Sequence, residues 1–156
     1  MATAFRTWAS GGSYAWQLLD AAGTAGTDWD LTAVTGTGNL DVTATSLNKF
    51  NIVLQTLSSI GPDVQGTALN WDPNLYYQSW KIASSAGTIT GWDVADGLAS
   101  ALFAIDATNF VGAGGGTSFN VSKTGNDVYL NYVPEPATLA LLALGGLGLL
   151  LRRKRR

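Results

Sequence analysis

The chain lacks cysteine and histidine altogether among its 156 residues. Without cysteine there is no disulfide framework and no thiol nucleophile, and without histidine the commonest general base and metal ligand is missing. Charged residues make up only 13%, and Glu135 is the only glutamate. Ten aspartates remain, but most stand in turn contexts where aspartate closes the backbone. We therefore expect no enzyme, no cofactor and no metal site beyond a weak calcium candidate at Asp127.

The few charges are divided unevenly along the chain. All eleven acidic residues precede residue 137, where only Arg6, Lys49, Lys81 and Lys123 are basic. The last twenty residues contain no acid and five bases, which are Arg152, Arg153, Lys154, Arg155 and Arg156. Nucleic-acid binding needs a basic surface on the folded body, so an acidic body excludes a nucleic-acid partner.

Residues 13–133 show the pattern of an all-β domain. Apolar residues alternate with polar ones at several places, for example at Phe50, Ile52 and Leu54, while the 19 glycines supply turns between the short runs. Sixteen aromatic residues are available to fill a core. This pattern predicts a β-sandwich of the jelly-roll kind, with a β-solenoid as the alternative.

A faint internal repeat favours the sandwich. Trp16 is followed by Gly-Thr and then by Trp29-Asp30, and Trp80 is followed in the same way by Gly-Thr and Trp92-Asp93. Two copies are too few to stack into a solenoid, because several units are needed to bury a continuous core. We interpret the repeat as two similar corners of one sandwich.

Three tryptophan–aspartate pairs suggest an alternative function. Trp29, Trp71 and Trp92 are each followed by aspartate, and exposed tryptophan beside aspartate is how many β-sandwich lectins stack sugars. The alternative is therefore a carbohydrate-binding module, with these three residues in contact with a glycan. The competing interpretation is that the tryptophans fill the core.

The C-terminal tail is typical of a membrane segment. Residues 137–151 are fifteen residues without charge, and as a helix they would span about 22 Å of the roughly 30 Å hydrocarbon core. The basic cluster at 152–156 follows directly, and such clusters remain on the cytoplasmic side. We expect a short transmembrane helix with the β domain outside the cytoplasm.

Residues 134–156 as a whole resemble a PEP-CTERM sorting tail. Pro134-Glu135-Pro136, an apolar run and a terminal basic cluster occur in that order. The resemblance implies export across the inner membrane of a Gram-negative bacterium, transient retention there, and processing by an exosortase that recognises the Pro-Glu-Pro motif. It further implies a final place at the cell surface or in secreted material, where exopolysaccharide or a surface glycan is the expected partner.

Two further expectations concern the body. Residues 125–132 resemble the last strand of autotransporter-associated β-strand proteins, a resemblance that implies a non-enzymatic extracellular domain. Residues 1–12 contain no apolar run of an export signal, and we interpret them as the continuation of a missing N-terminal region.

Overall fold

The computed structural model describes residues 5–75, 77–92, 101–113 and 117–134. Within these ranges the chain is all-β, with no helix and no closed barrel, which confirms the all-β prediction. The eleven strands are β1 (Arg6–Ala9), β2 (Ser13–Leu18), β3 (Thr32–Val34), β4 (Leu40–Thr43), β5 (Phe50–Ser59), β6 (Val64–Gln65), β7 (Gln78–Ser85), β8 (Ile89–Thr90), β9 (Phe103–Asn109), β10 (Thr117–Thr124) and β11 (Asp127–Pro134).

The strands visit three sheets in rotation. Sheet 1 contains β1, β4 and β8, sheet 2 contains β2, β5 and β9 with the short β6 on β5, and sheet 3 contains β3, β7, β11 and β10. Following the chain, β1, β2 and β3 each enter a different sheet, and β4, β5 and β7 repeat the same order. The chain therefore winds as a coil whose successive turns stack on one another.

Parallel pairing between turns decides between the two predicted folds. β1 pairs in parallel with β4, β2 with β5, β3 with β7, β4 with β8 and β5 with β9. Jelly rolls are built from antiparallel strands, so these parallel pairs disagree with the sandwich prediction and agree with the solenoid alternative. The fold also starts before residue 13, since β1 belongs to sheet 1.

The internal repeat does not correspond to the solenoid turns. Trp16 lies on β2 in sheet 2, whereas Trp80 lies on β7 in sheet 3, and the two rings contact each other at 5.8 Å between centroids. The turns themselves differ in length. Arg6 pairs with Leu40, 34 residues later, whereas Leu40 pairs with Ile89, 49 residues later. Unequal turns leave no fixed period for a sequence comparison to find.

The core lies along the axis of the coil. Inward-facing residues of stacked strands are in register, so that Tyr14, Ile52 and Ile105 lie side by side across sheet 2. The buried residues include the predicted inward face of β5, which is Phe50, Ile52 and Leu54, and they also include Val128, Leu130 and Tyr132 on β11. The two antiparallel strands, β10 and β11, complete sheet 3 beside β7.

A chain that ends at Pro134 should fold by itself, because the buried residues from Trp8 to Tyr132 form one continuous core. We expect one cooperative urea transition in which tryptophan fluorescence and far-ultraviolet circular dichroism coincide. Ile52→Ala in the same shortened chain serves as the comparison, since removing a buried isoleucine should cost about 2–5 kcal/mol. A soluble chain that unfolds gradually would show that the tail is part of the fold.

Candidate functional site

The junction between the folded body and the C-terminal tail is the part of the structure that carries functional information. β11 is the last described strand, and Pro134, the first residue of the Pro-Glu-Pro motif, is its final residue. Pro134 lies opposite Thr117 in the antiparallel pair with β10. The sorting motif therefore starts inside the sheet, without a linker after the β domain. We call this end of β11 the chain exit.

Tyr132 anchors the chain exit. Its side chain is fully buried, and its hydroxyl donates a hydrogen bond of 3.0 Å to the backbone carbonyl of Pro73. Its ring packs edge-on against Trp71 at 4.6 Å and lies 5.3 Å from Phe119. Burial raises the pKa of Tyr132, so the hydroxyl stays protonated and keeps donating. One residue, Val133, separates this anchor from the sorting motif.

Asn131 fixes the same end of β11 from the outer face of sheet 3. Its side-chain oxygen accepts hydrogen bonds from the hydroxyls of Tyr77 (2.6 Å) and Ser79 (2.8 Å). Its side-chain nitrogen donates to Asn120 and Ser122, both at 2.9 Å. Four hydrogen bonds link β7, β10 and β11 through one amide. The sequence places Asn131 on the outward face by alternation, but a single sequence gives no sign that four partners converge on it.

Most of the predicted tail lies outside the described residues, namely Glu135, Pro136, the apolar run 137–151 and the basic cluster 152–156. Among the described residues, no helix has the length and hydropathy that crossing a bilayer requires.

The aspartates beside Trp29 are engaged with the backbone. The Asp28 carboxylate accepts a hydrogen bond of 2.7 Å from the amide of Thr24, and that of Asp30 accepts one of 3.0 Å from the amide of Gln17. Burial raises the pKa of Asp30, although the bond from Gln17 opposes the rise. These bonds hold a loop against the outer edge of β2. Asp93, which follows Trp92, lies outside the described residues.

Asp127, the calcium candidate, forms an ion pair. Its carboxylate lies 2.8 Å from the ammonium of Lys81 on the neighbouring β7. Burial alone would raise the pKa of Asp127, but the hydrogen bonds from Lys81 and Ser84 outweigh it and lower the pKa. The same contact raises the pKa of Lys81. A lysine thus occupies the place beside Asp127, and the described residues contain no cluster of three or more acidic side chains.

The three tryptophans proposed for glycan contact pack against the core. Trp29, Trp71 and Trp92 are all partly buried beside the core cluster. The indole nitrogen of Trp29 donates to the carbonyl of Lys81 at 3.0 Å, and the rings of Trp71 and Trp92 contact Tyr132 and Phe103 respectively. They do not form an exposed row, so the lectin alternative has no support.

Comparisons with known proteins identify the tail. The family model described as the PEP-CTERM protein-sorting motif matches residues 133–156. This motif supports sorting through an exosortase, and it implies an exported protein that is held transiently in a membrane before processing. No curated protein and no solved structure matches the chain. The resemblance of residues 125–132 to autotransporter-associated β-strand proteins is not supported.

Asp127→Asn should lower the free energy of unfolding at neutral pH by no more than about 1 kcal/mol, because the pair with Lys81 is partly exposed to water. Because the pKa of Asp127 is lowered in the folded chain, this stabilisation is fully present above the unfolded-state pKa of about 4. It is lost as the pH falls through the lower pKa of the folded state. Urea unfolding of both chains at neutral and acidic pH measures the difference. If calcium chloride stabilised the native chain, that result would instead support the predicted calcium site at Asp127.

Proposed function

We propose that the protein is an exported, non-enzymatic β domain that is delivered to the cell surface or to secreted matrix by its C-terminal sorting tail. The main support is the match of residues 133–156 to the PEP-CTERM motif. In this proposal the body crosses the inner membrane, the tail holds it there, and an exosortase processes the chain at Pro134-Glu135-Pro136. Exopolysaccharide or another surface glycan is the proposed environment of the released domain.

The uses of the acidic side chains support a structural role for the body. Asp28 and Asp30 hold a loop, Asp72 accepts bonds from the backbone and side chain of Asn74, and Asp127 pairs with Lys81. Each of these four carboxylates is committed to local structure.

The orientation follows from the basic cluster at 152–156. Lysine and arginine remain on the cytoplasmic side of a membrane segment, so the body belongs on the periplasmic side of the precursor. A short apolar run with Gly145, Gly146 and Gly148 is a weak permanent anchor, because glycine costs up to about 1 kcal/mol each relative to alanine in a helix. A weak anchor suits a transient intermediate.

External protease added to spheroplasts should degrade the body and leave a fragment that contains the basic cluster. The reason is that the cluster keeps the C-terminus in the cytoplasm while the body is outside. An antibody tag after Arg156 follows the protected fragment, and a cytoplasmic protein serves as the control for lysis. If the body were protected and the tag were lost, the orientation would be the opposite of the proposed one.

Replacing Pro134-Glu135-Pro136 by three alanines should block maturation and leave membrane insertion intact. Proline lacks an amide hydrogen and keeps the preceding residue extended, which is the backbone form that a protease-like site binds. The full-length form should accumulate in the inner membrane, as measured by fractionation and by the mass of the mature protein. Leu47→Ala is the control, since Leu47 is 98% exposed and lies outside the tail. Normal shortening of the triple variant would favour a plain tail anchor.

A further inference from the structure

The loop before β7 lies beside the chain exit. In the antiparallel pair of β7 and β11, Gln78 is opposite Tyr132, so the residues that precede Gln78 extend in the same direction as Val133 and Pro134. The hydroxyl of Tyr132 reaches the carbonyl of Pro73, which fixes the loop to this end of the strand. The sorting tail therefore leaves the body at a surface that this loop helps to form.

This surface exposes apolar side chains. Leu75 is 48% exposed and Tyr77 is 55% exposed. The hydroxyl of Tyr77 is held at 2.6 Å by Asn131, and the amide of Leu75 bonds the carbonyl of Asp72. Both residues are thus held at the end of the domain where the tail departs. We call Pro73, Leu75 and Tyr77 the exit surface.

The sequence leaves little room between the anchor and the apolar run. Four residues, 133–136, separate Tyr132 from Ala137. Since an extended chain covers at most about 3.6 Å per residue, Ala137 can lie no more than about 18 Å from Tyr132. A bilayer adds several ångströms of headgroups on each side of its hydrocarbon core. When the apolar run is inserted from Ala137, the end of the body that contains Tyr132 lies within about 18 Å of the hydrocarbon core, and the headgroups fill part of that distance.

We propose that the exit surface contacts the headgroup region of the membrane that holds the tail. The hydroxyl of Tyr77 is already bonded to Asn131, so its exposed ring offers apolar area to the headgroup region, and exposed leucine gains by leaving water there. The surface contains no lysine or arginine, so its contact with lipid is apolar and needs no anionic headgroup. The inference rests on the proposed function, because it requires the tail to be inserted.

Single-cysteine labelling of the full chain tests this contact, since the native sequence has no cysteine. Leu75→Cys carries an environment-sensitive nitrobenzoxadiazole label at the exit surface. Leu47→Cys is the matched control, because Leu47 is 98% exposed in the turn between β4 and β5, at a different corner of the coil. Both labelled chains are reconstituted into phosphatidylcholine vesicles by detergent removal. Circular dichroism of each variant verifies that the body is folded.

The label at residue 75 should shift its emission to the blue, become quenched by headgroup nitroxide lipid and lose quenching by aqueous iodide. The label at residue 47 should show none of these changes. Identical behaviour of the two labels on vesicles that carry the chain would overturn the contact. Flotation separates this outcome from failure of the proposed function: if the full chain does not float with the vesicles, the tail is not a membrane segment.

Discussion

The register of stacked parallel strands is the constraint on which the body depends. Because β2, β5 and β9 pair in parallel, the residue that points inward on one turn lies beside the inward residue of the next, as Tyr14, Ile52 and Ile105 do. A shift of one residue would turn the apolar side chains of a strand outward. These rows of inward-facing side chains fix the register, and the register in turn fixes the positions of the loops and of β11.

Aromatic residues connect this core to the chain exit. Trp71, in the loop before β7, contacts Trp80 inside the core and Tyr132 near the end of β11. Trp71, Trp80 and Tyr132 thus hold the loop before β7 against the core and against the end of β11. The position at which the tail leaves the body is consequently set by core packing.

Alternation along single strands could be read from the sequence, but the pairing of strands could not. The inward faces of β5 and β11 follow from residues such as Ile52 and Leu130, because side chains of a strand alternate between two faces. The order of the sheets depends on contacts between distant residues, such as Trp8 with Val42, and turns of unequal length leave no period to detect. The tail was recognisable because its signal is local: a motif, an apolar run and a charge cluster in sequence. The partners of Asn131 and Asp127 arise only from tertiary pairing.

The position of the motif limits where the chain can be cut without damage to the body. Val128, Leu130 and Tyr132 are fully buried, so the second half of β11 is part of the core rather than a spacer. A cut before Tyr132 would remove its contacts with Trp71 and Phe119 and expose the end of sheet 3. A cut at or beyond Pro134 leaves every one of these contacts in place. The match to the sorting-motif family model begins at Val133, directly after Tyr132, which is the last buried residue of the part of the chain that the structure describes, so the boundary of the signal coincides with the boundary that the core requires.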